Sequence, residues 1–247
     1  MRSTLTEEEW AYLSSRFGLT AGSGSKQPSI SSVTTGELLD LRQCEAYLDQ
    51  WGAEIGSPSR RATASMLAKR YAFLLLAPAL YAMSVWNKEL QASAAHCVLE
   101  LPNEGSASKF PNLVLKETFV SAPEAGKRKE WREETISKLF AGHFSLLLRT
   151  LSEAGHVPRA ILWENAFVRI APLYEDEIEE QRHPSVSERL HDDFQFIIRK
   201  ASANLYGERR HPFSGFVPGG NRVTCCLYYE MAPEYCRACP KPLGSRA

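Results

Sequence analysis

Four cysteines lie within fifteen residues near the C-terminus of the sequence: Cys225, Cys226, Cys236 and Cys239. Thiolates are soft ligands, so four that converge on one point suit zinc or an iron–sulfur cluster. A C-x-x-C turn such as Cys236 to Cys239 can bring two sulfurs to one centre. Neighbouring side chains of an extended strand point to opposite faces, so Cys225 and Cys226 must lie in a bend to share that centre.

The spacing leaves three interpretations open: an iron–sulfur cluster, a structural zinc ion, or cysteines that are unligated or disulfide-bonded. Structural zinc sites use two hairpins with a spacer between the ligands of each, and a directly adjacent pair fits that geometry poorly. A [2Fe-2S] cluster contains two irons, which relaxes the constraint, so local chemistry favours it over zinc. The solitary Cys44 and Cys97 fall in predicted regular elements and are expected in the core.

The run RVTCCLYYEMAPEYCRACP (222–240) resembles the C-terminal signature of the FhuF-like ferric siderophore reductases. The apolar helix KRYAFLLLAPALYAMS (69–84) and the segment LWENA (162–166) resemble that family less sharply. The resemblance implies a cytoplasmic oxidoreductase whose four cysteines hold a [2Fe-2S] cluster. It also implies a ferric siderophore as substrate, one-electron reduction of its iron to release Fe(II), and an external electron donor such as a ferredoxin.

The same resemblance assigns a role to two residues upstream of the cysteines. It implies that Trp163 and Asn165 contribute to the substrate cleft, whereas the alternative is a core tryptophan and a buried hydrogen-bonding asparagine. The helical framework also resembles the C-terminal part of siderophore synthetases that condense citrate with amines. Those enzymes lack the four-cysteine tail, so the tail separates the two groups.

Positive charge is concentrated around the cysteines, although the whole chain has 29 basic and 29 acidic residues. Residues 207–247 contain six cations and three acids. A cluster held by four thiolates is anionic and becomes more so on reduction, so nearby cations favour the reduced form. We therefore predict that Arg222 and Arg237 raise its reduction potential and that Arg209 and Arg210 help to hold an oxygen-rich chelate; the alternative is that all four are solvated loop residues.

Several classes of function are disfavoured. The zero net charge argues against a general nucleic-acid binder. The chain lacks a G-x-G-x-x-G motif for a nicotinamide or flavin and the common hydrolase motifs. Its first residues lack the apolar core of a secretory signal, and its longest apolar run (71–86) is shorter than the about 20 residues of a membrane span. We expect a cytoplasmic protein without a transmembrane segment, with peripheral membrane association left open.

Two other functions stay open at this stage. One is a module that holds structural zinc and binds a siderophore or a protein without redox activity. The other is a general [2Fe-2S] electron carrier, although the body of 206 residues is larger than a bare carrier needs.

The apolar pattern predicts an α+β fold: a mainly helical body with a small antiparallel sheet (1–206) and a loop-rich iron–sulfur segment (207–247), joined in one continuous unit. Helices are expected over 7–17, where Thr6 and Glu9 have capping-box spacing, and over 35–51, 58–86, 127–154 and 185–206, with a kink or break at Pro78 and a further helix after Pro158. Paired strands are expected over 97–101 and 113–119, and a short strand over 223–229. Residues 21–32 are predicted to be a flexible connector, and 175–180 a solvated acidic face or loop.

Overall fold

The structure is a computed structural model of the chain, and it describes residues 3–22, 32–102, 108–181, 183–232, 234–236 and 238–240. The fold is mainly helical with two small sheets, which confirms the predicted α+β class. The α-helices are α1 (Glu7–Phe17), α2 (Leu41–Ile55), α3 (Arg60–Tyr71), α4 (Ala77–Trp86), α5 (Arg128–Leu139), α6 (Ser145–Ala154), α7 (Arg159–Glu180) and α8 (Pro184–Gln195).

The helices begin where side chains can accept the first unpaired N–H groups. Helix α1 has the predicted capping box, in which Thr6 Oγ1 accepts from Glu9 N at 3.2 Å and the Glu9 carboxylate accepts from Thr6 N at 2.7 Å. The expected start of the second helix at residue 35 was wrong, because residues 37–39 form a 3₁₀ turn and Asp40 caps α2. Ser59 caps α3, so the helix begins at Arg60, two residues after the predicted start at residue 58.

Three π-helical segments interrupt the long helical runs: Ala72–Leu76, Phe140–Phe144 and Phe196–Lys200. The first joins α3 to α4 just before Pro78, so the helix is irregular where the proline removes a backbone donor, rather than broken at it. The continuous run from Arg60 to Trp86 is long and apolar enough to cross a membrane by length and composition, but its most apolar window is 83% buried inside the fold. It is packed as a core helix, as the sequence predicts.

The strands are β1 (Ser3–Thr4), β2 (Leu19–Ala21), β3 (Ser32–Thr34), β4 (Glu89–Leu90), β5 (Cys97–Glu100), β6 (Asn112–Leu115) and β7 (Phe119–Ser121). They form two sheets, with strand orders β1-β7-β4 and β2-β6-β5-β3. The predicted pairing of β5 with β6 is confirmed and antiparallel. The expectation of one purely antiparallel sheet was wrong, since β2 pairs with β6 in parallel. Most of the predicted connector, residues 23–31, lies outside the described residues.

Helix α7 continues over the acidic residues 175–180, so of the predicted solvated acidic face or loop the face is correct, with Asp176, Glu179 and Glu180 exposed, and the loop is wrong. Glu177 is buried in its last turns and forms an ion pair with Arg16 of α1. The predicted helix 185–206 is divided into α8, a π segment and a 3₁₀ turn at Ala203–Tyr206. Helices α3 and α7 pack against each other and carry the side chains that hold the C-terminal segment.

Candidate functional site

The four-cysteine segment packs against the N-terminal half of α3. Ser65 Oγ, which is fully buried, donates to the backbone carbonyl of Cys226 at 2.8 Å. One turn and a half earlier, Ser59 Oγ donates to the Glu230 carboxylate at 3.0 Å. The backbone around Cys226 is therefore fixed by a helix of the body rather than by regular structure of its own.

Glu164 of α7 holds the residues just before the cysteine pair. Its buried carboxylate accepts from Val223 N at 2.5 Å and from Thr224 N at 2.8 Å, and it also accepts from the Thr224 hydroxyl. The side chain is 2% exposed, so these bonds are made away from water, where charge-assisted hydrogen bonds are strong.

Arg222 lies beneath the cysteine pair with a side chain that is only 1% exposed. Its Nη2 donates to Asn165 Oδ1 at 2.8 Å and lies 3.3 Å from a Glu164 carboxylate oxygen. Asn165 in turn donates from Nδ2 to both the carbonyl and the hydroxyl of Ser65 at 2.9 Å. One polar network thus joins α3, α7 and the segment that bears the cysteines. Within the described part of the chain, the buried Nη1 of Arg222 has no hydrogen-bond partner.

The structure brings two of the predicted ligands close together. Cys226 is 1% exposed, and its thiol is near enough to that of Cys236 to help raise the pKa of Cys236, while Cys225 and Cys239 are half-buried. Burial raises the pKa of the Cys236 thiol to about 11. Across the described residues, the six cysteines form no disulfide, and no three Cys, His, Asp or Glu side chains are grouped so that they could hold a metal ion.

The backbone between the two cysteine pairs is folded back on itself. The Arg222 N–H donates to the Ala238 carbonyl at 3.1 Å, and Cys239 N donates to the Cys236 carbonyl at 3.0 Å, which closes the C-x-x-C turn. The predicted strand over 223–229 was wrong: the chain bends at Leu227, whose φ is 66°, and continues into a 3₁₀ turn at Tyr228–Glu230. A bend next to the adjacent cysteines is what a shared centre requires.

The surroundings of the cysteines fit an anionic thiolate-held group. Arg222 and Lys69 both act electrostatically on the thiol of Cys236, and Lys69 also acts on that of Cys226. The unpaired Nη1 of Arg222 is a buried donor that an anionic centre would satisfy. Four thiols, two of them close together, are the donor set that a [2Fe-2S] cluster or zinc takes.

The other residues singled out in the sequence occupy different places. Trp163 is 4% exposed within an aromatic cluster, the position expected from the core alternative, and its Nε1 donates to Glu208 at 3.2 Å. Arg209 and Arg210 are exposed, and no ion pair joins either to another described residue. Arg237 lies outside the described residues. The two isolated cysteines, Cys44 and Cys97, are buried in the core as predicted.

Three charged residues of the site were missed by sequence reasoning: Lys69, Glu164 and Arg169. Glu164 stands between Trp163 and Asn165 in the stretch that was singled out, and a carboxylate among apolar helix residues was a usable signal. Lys69 and Arg169 gave no such signal, because 100 residues separate them in the sequence and only the packing of α3 on α7 brings them together.

A cavity of about 260 Å³ opens between α7 and the cysteine segment. Phe167 and Pro172 line it from α7, and Arg222 and Ala238 line it from the segment. Ala238 belongs to the C-x-x-C turn, so one wall of the cavity is the backbone between two predicted ligands. Val217, also in the lining, is 62% exposed and gives the mouth an apolar edge.

Residues 65–200 match the family described as ferric iron reductase FhuF-like transporter, and this range is more than half of the chain. The fold is similar to that of ATP-bound aerobactin synthetase IucA from a hypervirulent pathotype of Klebsiella pneumoniae, with a TM-score of 0.55 and 12% identity over 79% of this chain and 44% of that one. Aerobactin synthetase IucC from the same source gives a TM-score of 0.51 and 16% identity over 76% and 37%. No curated protein matches the chain.

The likeness to the synthetases concerns the fold alone, and the chain spans less than half the length of either enzyme. It agrees with the predicted resemblance of the helical framework to siderophore synthetases. The family match includes α7 and most of α3 but ends before the cysteine segment.

Proposed function

We propose, from the premise that the chain belongs to the ferric iron reductase FhuF-like family, that it reduces the Fe(III) of a ferric siderophore to Fe(II) in the cytoplasm. One electron passes from the reduced protein to the chelated iron, and an external donor such as a ferredoxin restores the reduced protein. Ferrous iron carries less charge than ferric iron and is held less tightly by the hard oxygen ligands of a chelate.

The proximity of Cys226 to Cys236, with the cations Lys69 and Arg222 near Cys236, is the observation that carries this proposal. Thiols next to a basic side chain that has no carboxylate partner among the described residues, as is true of Lys69, are an arrangement suited to an anionic redox centre. A structural role alone would leave the unpaired Nη1 of Arg222 unexplained.

Cys225, Cys226, Cys236 and Cys239 would hold a [2Fe-2S] cluster, which supplies single-electron transfer when bound. Glu164 and Ser65 hold the backbone on either side of Cys225 and Cys226 and so fix where those thiolates stand. Asn165 accepts a hydrogen bond from the Arg222 guanidinium and so helps to hold its orientation. These residues position the ligands and do not need to touch the substrate.

The cavity beside the C-x-x-C turn is where we propose that the ferric chelate approaches. Drug-sized ligands occupy pockets of about 300–1,000 Å³, so this cavity would take only part of a siderophore and leave the rest in solvent. In an open site of this kind, electron transfer depends more on the distance between the iron and the cysteines than on the shape of the chelate. Peripheral association with a membrane stays a prediction.

The proposal is tested by mixing the anaerobically reduced protein with ferric hydroxamate, catecholate and citrate chelates in the absence of other reductants. We expect reoxidation of the protein together with an equivalent amount of Fe(II), trapped by a ferrous-specific chromophore. The Cys236→Ser variant, treated in the same way, should produce none.

Two results would contradict the proposal. Reduced protein that leaves every ferric chelate unchanged but passes its electron to an acceptor protein would identify a general electron carrier. Protein that binds ferric chelates but holds zinc and accepts no electron would identify a binding module.

A further inference from the structure

Lys69 of α3 stands over the same part of the segment that Ser65 anchors. Residues four apart lie on the same face of a helix, and Ser65 bonds the backbone of Cys226 at 2.8 Å. Lys69 is accordingly close enough to the thiols of Cys226 and Cys236 for its charge to act on both. Its place follows from the docking of the segment on α3.

The ammonium group of Lys69 is half-buried, and among the described residues it forms neither a hydrogen bond nor an ion pair. Its charged neighbours besides the two thiols are Arg169 and Arg222, which are both cationic. Burial lowers the pKa of Lys69, since an ammonium group loses hydration there. Among the described residues, no carboxylate is paired with Lys69, and the carboxylate of Glu164 is engaged by Arg222 and by the backbone of the segment.

Arg169 of α7 adds a second positive charge near Lys69. Its guanidinium lies 5.6 Å from the ring centroid of Phe73, and its buried Nε has no hydrogen-bond partner in the described chain. Lys69 and Arg222 thus act on the thiol of Cys236, and Arg169 acts on Lys69. Among the described residues, Arg222 is the one of these three that is paired with a carboxylate, that of Glu164. Like charges this close repel one another unless anions lie among them, and cysteines that lose their protons on binding a metal centre would supply those anions.

We infer that Lys69, supported by Arg169, is a positioning charge for the redox centre that makes the reduced state of the protein easier to reach. This inference rests on the proposed function, because it concerns the charge carried by the cysteine ligands of that same site. A cation at this place stabilises the additional negative charge that arrives with the electron. Lys69 touches neither substrate nor iron in this role.

The test is the midpoint potential of the purified iron-containing protein, measured by a dye-mediated redox titration followed by paramagnetic resonance. Lys69→Met keeps the length and apolar stem of the side chain but removes its charge. We expect its potential to shift to a more negative value with iron and sulfide content unchanged. Lys69→Arg should return the potential toward that of the wild type. The matched control is Lys129→Met, which removes the same charge from the exposed first turn of α5.

The outcomes distinguish a failure of this inference from a failure of the proposed function. Wild-type protein that carries an iron–sulfur cluster, with an unshifted potential in Lys69→Met, overturns the role of Lys69 and leaves the proposed function standing. The same shift in Lys129→Met overturns it as well, since net charge would then be the cause. Wild-type protein without iron overturns both.

Discussion

Replacement of Cys236 by serine is expected to abolish cluster binding and to release the C-terminal segment while the helical body stays folded. Serine keeps the size of the side chain but replaces a soft thiolate by a hydroxyl that is not deprotonated near neutral pH, so a ligand is lost. In the described part of the segment after Gly207, the 3₁₀ turn at Tyr228–Glu230 is the regular element. Ligand binding and folding are coupled in such a segment, and loss of one disrupts the other.

The measurement combines iron and sulfide content, far-ultraviolet circular dichroism and limited proteolysis of the Cys236→Ser variant. We expect no stoichiometric iron, nearly unchanged helix content and cleavage after Gly207 at a rate well above that of the wild type. Cys44→Ala is the matched control, because Cys44 is buried in α2 away from the segment. Equal cleavage of the wild type and Cys236→Ser would show that the segment is held independently of its cysteines.

The second large effect is expected from Glu164→Gln. The carboxylate accepts two backbone N–H groups and the Thr224 hydroxyl, and it is paired with Arg222 at 3.3 Å. A glutamine presents an NH₂ group to donors and leaves Arg222 as a buried charge without a counter-ion. Removal of one partner of a buried ion pair costs about 3 kcal/mol or more, which raises the population of the undocked segment roughly 100-fold.

Glu164→Gln should therefore increase proteolysis of the segment and lower iron content, with the thermal unfolding of the helical body less affected. Glu179→Gln provides a matched control, since it is the same substitution on an exposed position of α7. Equal protease resistance of the two variants would mean that Glu164 is dispensable for docking. A similar loss in both would point to the helix itself rather than to the buried pair.

Sequence patterns predicted the elements whose causes are local. The capping box of Thr6 and Glu9, the alternation of residues 97–101 and the proline before α7 each reside in a few adjacent residues, and each corresponds to an element of the structure. The bend beside Cys225 and Cys226 was expected only if their thiolates share one centre, and the strand predicted over 223–229 was wrong. The uncertain boundaries fall at helix starts, where several polar residues compete for the cap, as Ser57 and Ser59 do.

Features that depend on tertiary packing were not predictable in this way. The parallel pairing of β2 with β6 joins residues more than 90 positions apart. Glu177 looks like one acid in a solvated acidic run until Arg16 is known to face it. Lys69 and Glu164 belong to the site because α3 and α7 pack together and both hydrogen-bond the cysteine segment, which the sequence alone does not show. The cysteine motif predicted the ligands and Arg222 beside them, but Lys69 and Glu164 come from the body.

The central claim is that the four cysteines hold a redox-active iron–sulfur cluster, and metal content after purification without oxygen tests it most directly. Iron, sulfide and zinc are determined per chain, and the dithionite-reduced protein is examined by paramagnetic resonance. We predict about two iron and two sulfide ions per chain, a red-brown colour and a signal that appears on reduction. Colourless protein with about one zinc ion per chain and no signal would contradict the claim.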